Sequence, residues 1–384
     1  MAFGVKGGYK FAVSIGDRED FLTDDKFISF TLIEDIGLSL PYWELIFDCV
    51  YPDLLKFFNE TQPITIQYGM DTGDLTPIEL VIKKPIVVPK SANCHRVTLR
   101  GFTAMHSYLE TEYKAKYPAE DGSTYTSLQL AQAIAQKYGL TFRTNMDSTN
   151  DAMVYYQPGL TDYKFLFTEW LHSYYQDNDI IIPAITTKGE LTYNSLSTMI
   201  ANSNPEQMIT FTDVKPENPQ IEIMVNANTG LESNTTISNM LGSYVKTRDI
   251  YHIDTGVMEH IDVSNSTPII SESQQTSVDE SISKSSGFFV QNSSVHANYY
   301  KQELINTQKY FSIQSSRQWV SAPDELVFNV YPGDLVLYMT KRESQQVNDQ
   351  VSGMYLVAKK VWSVKKRSTS TNFLLSRENM NYSR

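Results

Sequence analysis

Residues 330–362, VYPGDLVLYMTKRESQQVNDQVSGMYLVAKKVW, contain two alternating apolar runs separated by a long polar loop. The first run follows a Pro-Gly-Asp turn, and alternation of period two on both sides of a loop is typical of a β-hairpin. The loop, KRESQQVNDQV at 341–351, exceeds the about two to five residues that close most hairpins. A tip of this length adds little to a monomer's own fold, so we predict that it contacts a neighbouring chain. A solvated, flexible loop remains the alternative.

Short runs of the same kind fill the first 111 residues. Between Tyr9 and Thr111 they are rich in β-branched and aromatic residues and are separated by turn residues, which predicts an all-β barrel or sandwich. The segment after Pro52 has room for one or two helical turns beside these strands. Cys49 and Cys94 lie within the runs without CxxC spacing, and we predict that both are buried, reduced thiols. The six runs are YKFAVSI, FISFTLI, YWELIFDCV, PITIQYG, IELVIKKPIVV and HRVTLRGF.

Residues 112–215 change to a mixed pattern, which predicts an α+β domain. Thr126 and Gln129 form a capping box, and Gly139 stands where a left-handed C-cap would end the helix. Thr161 is a candidate N-cap of a second helix. The hairpin DIIIPAITTKGELTY follows, with TTKG as its turn. The predicted buried stripe of the second helix is Tyr163, Leu166, Phe167, Trp170, Leu171 and Tyr174.

The remainder of the chain alternates between β patterning and polar sequence. Pro216 and Pro219 mark a boundary, after which 216–245 and 312–384 form a second β region. Residues 246–291 are dominated by Ser, Thr, Asn, Gln and acids, so we expect the insertion at 246–311 to be an extended excursion that is ordered, if at all, against a partner. Within it, HANYYKQELINTQKYFSI has helical character but no clean apolar stripe. The two β regions also share an order of strand, polar excursion, strand, Lys-containing turn and final strand, which suggests two copies of one module.

Charge and hydropathy exclude several functional classes. The net charge of −12 and the pI near 5.0 argue against a surface that grips nucleic acid, because phosphate neutralisation needs clustered Lys and Arg. Every apolar run is shorter than the roughly 20 residues of a membrane span, and the first residues lack the apolar core of a signal peptide. These features predict no membrane anchor and no specific nucleic-acid binding.

Residues with catalytic or metal-binding chemistry are scattered. Only His252, Asp254, Glu259 and His260 lie close together, and a Thr-Gly turn separates the two histidines, so surface polar residues on a hairpin are favoured over a metal site. GxSxG, HExxH, GxGxxG and P-loop motifs are absent. We therefore predict no catalytic, cofactor-binding or metal-binding residue. The other histidines are His95, His106, His172 and His296, and the acids weighed as catalytic candidates are Glu34, Asp35, Asp121, Asp177 and Asp179.

Two further stretches have a possible binding role. MVYYQPG and HSYYQD have the composition of a carbohydrate-stacking platform, although aromatic residues on a helical stripe are more often core. KKVWSVKKR, 359–367, interleaves basic and aromatic residues, and on a strand its charges point to both faces. A strand with a solvated basic edge is favoured over a DNA contact.

The order of these pieces resembles the baseplate hub proteins of contractile-tailed bacteriophages. It is also similar to the hub portion of phage late-control proteins and of type VI secretion spike proteins. The resemblance rests on the order of five pieces. The first is a β module that ends with VTLRGF, and the others are the helix SLQLAQAIAQKYGLTF, the segment YYQPGLTDYKFLFTEWLHSYY, the hairpin piece KGELTY and the late stretch PGDLVLY…GMYLVAKKVW. The longer members carry an appended spike or lysozyme-like domain, whereas for this protein we expect the spike to be a separate chain, and residues 246–310 do not align.

The resemblance implies a mainly β chain with α+β parts. Its domains would be a tube-like β-barrel at 1–111, an α+β domain at 112–215, a second tube-like barrel at 216–245 and 312–384, and a polar insertion at 246–311. Three chains would place six barrels in a ring, which matches a sixfold tail tube to a threefold central spike. The implied partners are further copies of the chain, the spike, the tube or tube-initiator protein, and the tape measure and baseplate wedge. The expected location is the virion tail, assembled in the host cytoplasm.

Two other functions remain open from the sequence. A phage receptor-binding or carbohydrate-binding tail protein is the first alternative, and a tail-associated hydrolase without recognisable motifs is the second. Ring-shaped oligomers would favour the hub. Binding to glycans would favour the receptor-binding protein, and turnover of glycans would favour the hydrolase.

Overall fold

The computed structural model is mainly β, with five helices among the described residues. The predicted loop tip at 341–351, apart from Val351, and the predicted helical turns after Pro52 fall outside those residues. The structure describes residues 3–5, 9–15, 22, 25–49, 63–70, 76–120, 122–213, 215–216, 218, 220–227, 232–233, 246–263, 269–270, 285–322, 329–340, 351–365 and 368–378.

Seven strands form the first β region. Their order across the sheet is β1-β2-β5-β6-β7-β4-β3, with antiparallel pairing throughout. Alternate residues of β3 and β4 are buried, as the period-two pattern predicts. The strands are β1 (Phe3–Val5), β2 (Tyr9–Ile15), β3 (Phe27–Asp35), β4 (Tyr42–Cys49), β5 (Pro63–Met70), β6 (Thr76–Ser91) and β7 (Cys94–Thr103).

The middle part contains the predicted helices and hairpin. Thr126 and Gln129 form the predicted capping box, Gly139 has φ +67°, and the Thr161 hydroxyl accepts a hydrogen bond from the Lys164 N–H. The predicted stripe of the second helix needs one correction, because Phe165 is buried and stacks on Tyr117 while several predicted members are only partly buried. The elements are α1 (His106–Glu110), β8 (Glu112–Tyr117), α2 (Ser127–Lys137), β9 (Thr141–Arg143), β10 (Tyr155–Thr161), α3 (Asp162–Leu171), β11 (Ile181–Thr186), β12 (Glu190–Ser195) and α4 (Leu196–Ala201).

The second β region follows. Its sheet order is β14-β13-β21-β22-β23-β20, and both β15 and β16 pair with the remaining edge of β20. The strands are β13 (Thr210–Thr212), β14 (Glu222–Met224), β15 (Asn226–Ala227), β16 (Glu232–Ser233), β20 (Ser316–Ala322), β21 (Leu335–Met339), β22 (Gly353–Lys365) and β23 (Ser368–Arg377).

Part of the polar stretch has regular structure, which corrects the expectation of an extended excursion. The strands β17 (Lys246–His252), β18 (Val257–Val263) and β19 (Ser285–Gln291) form one sheet, and the helix α5 (Tyr299–Ile313) packs on it. Ile250, Ile261 and Leu304 make a small core of their own. The described sheet and helix pack against each other and against the rest of the same chain, without a separate partner.

The two β regions repeat one another in detail. The β6–β7 and β22–β23 hairpins occupy the same place in the sheet order, since β5 or β21 lies on one side and β4 or β20 on the other. Each hairpin also carries a bulge opposite the same point of its returning strand, at Lys83 in β6 and at Ala358 in β22, and β6 has a second irregularity between Pro89 and Ser91. Bulges change the direction of a strand at a fixed point. One difference is that β2 pairs with β5 antiparallel whereas β13 pairs with β21 in parallel.

Candidate assembly interface

The two β regions are joined by backbone pairing. Residues 359–365 of β22 pair antiparallel with residues 29–35 of β3, so one sheet runs through both regions. Lys359 Nζ lies 3.2 Å from Asp35 Oδ1 at the start of this pairing. Burial raises the pKa of the Asp35 carboxyl, and the Lys359 ammonium partly opposes that shift. The pairing is called the internal joint below.

Strand β22 also contributes side chains to both hydrophobic cores. Tyr355 and Val357 lie in the core of the second β region, whereas Trp362 and Val364 lie in the core of the first. The Trp362 ring is 5.5 Å from the Phe30 ring, centroid to centroid, in an edge-on arrangement. Burial of an indole between two regions resists their separation, because it would expose a large apolar surface to water.

The α+β part docks at the end of the internal joint. The Gly37 N–H donates to the Pro183 carbonyl at 2.7 Å, and Ile36 forms a bridge with Ala184 of β11. The buried Glu34 carboxylate accepts hydrogen bonds from the backbone N–H and the hydroxyl of Thr187, at 2.8 and 3.0 Å. An apolar cluster beneath these contacts combines residues of all three parts: Ile36, Ile180, Ile182, Leu196, Ile313, Leu356, Ala358 and Leu374.

The Pro-Gly-Asp turn of the opening sequence belongs to this junction. Gly333 has φ +94°, a conformation that favours glycine, and a Cβ at this position would point toward Ala184. The Asp334 carboxylate accepts from the Tyr331 N–H at 2.7 Å, and burial raises the pKa of Asp334 to about 6. The Lys188 and Lys360 ammonium groups lie 4.2 and 4.3 Å from the centroid of the Tyr331 ring. The turn therefore holds the second β region against the β11–β12 hairpin.

Helix α5 attaches the polar insertion to the α+β part through polar contacts. The Asn306 amide donates to the Leu171 and Ser173 carbonyls, at 2.9 and 2.8 Å, where α3 ends. The His172 and Tyr299 rings stack 3.6 Å apart and are nearly parallel. These donors satisfy carbonyls that a helix C-terminus leaves without intrahelical partners. The burial of polar residues on α5 explains why its sequence has no clean apolar stripe.

The outer face of the β17–β19 sheet carries exposed apolar side chains. Met258 and Val290 lie in register with Tyr251, and Phe288 lies in register with Asp249, two residues away and therefore on the same face. Met258 is 54% exposed, Val290 51% and Phe288 60%. A patch of this kind on a folded surface is typical of an interaction site.

The histidines of the β17–β18 hairpin do not meet one another. His252 lies 2.9 Å from Glu259, and His260 lies 2.6 Å from Asp249 on the opposite face of the sheet. Within the described ranges, no group of three or more His, Cys, Asp or Glu side chains is arranged to hold a metal ion. Likewise, no helix in the described part of the chain is long and apolar enough to cross a membrane.

The candidate acids have structural roles or lie on the surface. Asp179 is buried and accepts from the Ser195 hydroxyl at 2.6 Å and from the Ser197 N–H at 3.0 Å, while Asp177 is exposed. Asp121 lies outside the described residues. The Asp35 carboxylate contacts Lys359 at the internal joint, and the Glu34 carboxylate binds Thr187 of the α+β part. The sequence did not reveal either role, because both partners are distant along the chain.

Among the other predictions about single residues, some are confirmed and some are wrong. Cys49 is buried, but the prediction for Cys94 is wrong, because this free thiol is only half-buried. The predicted basic edge at 359–365 is also wrong: β22 has a neighbour on both sides and Lys360 is buried. In MVYYQPG, Tyr155 is buried and Tyr156 is 62% exposed, whereas Tyr174 and Tyr175 of HSYYQD are half-buried.

No protein-family model matches the chain, and no curated protein matches its sequence. Among solved structures, it is similar to a tail protein from Neisseria meningitidis MC58, with a TM-score of 0.58 and 10% identity over 97% of both chains. It is also similar to the 43 kDa tail protein of prophage MuSo2 from Shewanella oneidensis, with a TM-score of 0.59 and 10% identity over 97% of this chain and 100% of that one.

A third structure, from Escherichia coli, is described as a component of the type VI secretion system with structural similarity to the T4 bacteriophage tail proteins gp27 and gp5. Its TM-score is 0.50, with 11% identity over 97% of this chain and 79% of that one. At such identities the likeness establishes a shared fold, which is that of these tail proteins.

Proposed function

We propose that this protein is a non-catalytic virion component, a trimeric baseplate hub that joins a sixfold tail tube to a threefold central spike. The observation that carries the proposal is the internal joint: two β regions with the same strand order form one continuous sheet. Three such chains would supply six similar β regions. A duplicated module in a trimer gives quasi-sixfold symmetry, so the same ring can bind a sixfold tube on one side and a threefold spike on the other.

The strand pairing also supports two tube-like barrels. In the second β region, Glu222–Met224 pairs with β13, and the adjoining Asn226–Ala227 pairs with β20. This segment brings the two ends of the sheet order together around one apolar core. The first β region has a comparable core, to which β2, β3, β4, β5, β6 and β7 all contribute. We assign the barrels to 1–111 and to 216–245 with 312–384, and the domains at 112–215 and 246–311 to the spike side.

The proposal places the protein in the phage tail, after assembly in the host cytoplasm. Its partners are two further copies, the central spike and the tube or tube-initiator protein, with the tape measure and wedge as further neighbours. The exposed apolar face of β17–β19 is a candidate surface for one of them.

The test is the mass in solution, alone and with the spike protein, by light scattering after size exclusion. We expect a species near 131 kDa, three times the 43.7 kDa of one chain, that grows when spike is added. Electron microscopy of that species should show a ring of six similar lobes. A monomer that ignores the spike and binds host glycans would contradict the hub and favour a receptor-binding protein.

A further inference from the structure

Two buried histidines link the polar insertion to the α+β part, and each one bonds the backbone of the other part. His172 follows the last residue of α3, and its ring Nδ1–H donates to the Tyr299 carbonyl at 3.1 Å. His296 precedes α5, and its Nε2–H donates to the His172 carbonyl at 3.0 Å. Because a carbonyl oxygen only accepts, both of these ring nitrogens carry a proton. The pair is called the histidine clasp below, and its side chains are 8% and 9% exposed.

The surroundings of the clasp disfavour a second proton on either ring. Nδ1 of His296 is buried, and it has no hydrogen-bond partner among the described residues. Protonation at this nitrogen would bury a charged N–H without an acceptor, which costs more than burial of the neutral ring. Burial lowers the pKa of His296, although the Asp151 charge and the bond to the His172 carbonyl oppose that shift. Burial likewise lowers the pKa of His172 to about 4, so the docked clasp is neutral.

Glu169 lies at the same contact and acts in the opposite direction. The Tyr299 hydroxyl donates to the Glu169 carboxylate at 3.3 Å, and burial raises the pKa of Glu169 to about 7. Separation of α5 from α3 therefore lets Glu169 lose a proton where the two histidines gain one each. The other titratable groups that face these residues are Asp151, Tyr155, Tyr193, Tyr300 and Glu303.

We propose that the histidine clasp is an acid-sensitive release. When His172 and His296 become protonated, β17, β18, β19 and the first turns of α5 detach from the α+β part, while the rest of the chain stays folded. The other end of α5 stays attached, because Ile313 lies in the apolar cluster shared by the three parts. Near that end, the Tyr310 ring packs edge-on against Trp170, with 5.2 Å between the centroids.

Acid favours release because the detached histidines return to an ordinary pKa of about 6.5. Docking is therefore fully favoured above about pH 6.5 and weakens as the pH falls toward 4. Each proton taken up on release changes the docking equilibrium by up to about tenfold per pH unit. Glu169 gives up a proton over about pH 4.3–7 and cancels one of the two uptakes. The response of the wild type is therefore small, and Glu169→Gln uncovers the full response of the clasp.

The first test is amide hydrogen exchange of the full-length Glu169→Gln chain, corrected for the intrinsic effect of pH on exchange. Between pH 6.5 and 5, protection of β17, β18, β19 and residues 299–305 should fall at least tenfold. Protection of β2, β3 and β4 should change less than threefold. After release, Ile250, Ile261 and Leu304 form too small a core to keep the sheet protected.

Replacement of the histidines shows whether they cause the fall. In His296→Gln and His172→Asn, the side-chain amide can donate near the position of the original ring nitrogen without titrating in this range. Added to Glu169→Gln, each change should remove part of the fall, and the two together should abolish it. His260→Gln, at an exposed histidine of the same sheet, is the control and should leave the fall unchanged. A fall that persists without both clasp histidines, or that is equal throughout the chain, overturns the clasp.

A measurement on the wild type does not depend on how the variants fold. In an NMR titration of the six histidine side chains, at least two should titrate below about pH 6. A titration in which all six have a pKa near 6.5 overturns the proposal, because the clasp would then have no preference for neutral rings.

Discussion

Glu169 shows how the docking of α5 changes the chemistry of a single residue. Burial raises the pKa of its carboxyl to about 7, the Tyr299 hydroxyl opposes that shift by donating a hydrogen bond, and the Asp151 charge adds to it. Beside it, burial lowers the pKa of His172 to about 4 and also lowers the pKa of His296. The two kinds of group therefore have opposite effects on stability as pH changes.

The sign of the Glu169 effect follows from linkage. An unfolded glutamate has a pKa of about 4.3, so between about pH 4.3 and 7 the folded protein holds more protons at this site and stability falls as pH rises. Buried His172 acts in the other direction between about pH 4 and 6.5, where the unfolded chain holds more protons. Between about pH 6.5 and 7.5, the fall due to Glu169 is no longer offset by His172.

We therefore predict that Glu169→Gln gains stability relative to wild type as pH rises from 5 to 7.5. The expected gain is on the order of 2 kcal/mol, because each pKa unit corresponds to about 1.4 kcal/mol. Urea unfolding at several pH values measures it, and the exposed Glu120→Gln serves as control. Parallel pH profiles for wild type and Glu169→Gln would contradict the prediction.

At the scale of single elements, local signals in the sequence were sufficient for some helices and not for others. The capping box of α2, the N-cap Thr161 and the C-terminal Gly139 depend on neighbours within a few residues, and the structure confirms all three. Helix α5 has no such signals: Asn298 makes no side-chain cap. The side-chain N–H groups of its buried Asn306 donate to carbonyls at the end of α3, more than 130 residues earlier. A sequence pattern cannot reveal a partner at that distance.

The same contact gives a prediction for the whole inserted element. Asn306→Ala removes two hydrogen bonds to the carbonyls that follow α3 and leaves these buried acceptors without donors, at a cost of about 1–3 kcal/mol. We expect faster amide hydrogen exchange in α5 and in β17, β18 and β19, while β2, β3 and β4 stay protected. The control is Lys301→Ala, an exposed position of the same helix. Uniform loss of protection across the chain would mean that the insertion does not open as a unit.

At the scale of the whole molecule, β22 makes separate folding of the two β regions unfavourable. The sequence predicts two β regions and a repeated order, and in the sheet β5, β6 and β7 have the same order as β21, β22 and β23. It does not predict that 359–365 leaves its own region to pair with β3, because alternation shows that a strand has two faces and not which strands lie beside it. The erroneous prediction of a basic edge had this cause, and so had the missed role of Glu34 and Asp35.

This shared strand leads to a prediction about cooperativity. Trp362→Ala should lower the free energy of unfolding by about 3–5 kcal/mol, as expected for loss of a large core side chain. Urea unfolding should remain one transition whose slope reflects the whole chain. Trp319→Ala, at a partly buried tryptophan, should cost less. Two separate transitions in wild type would contradict the coupling of the regions.

The long tip between β21 and β22 is the remaining feature that acts at this scale. The corresponding connection between β5 and β6 spans only 71–75, whereas this one spans 340–352, so the two hairpins differ where they would project from a ring. Met339 at its base is exposed and lies in register with Thr212, which also pairs with the exposed Met224. Deletion of Glu343–Asp349 should therefore weaken assembly at least tenfold without lowering the free energy of unfolding of the chain. Light scattering and urea unfolding measure the two effects separately, with replacement of the same residues by Gly and Ser as the length control. Assembly that survives the deletion unchanged would show that the tip is a solvated loop.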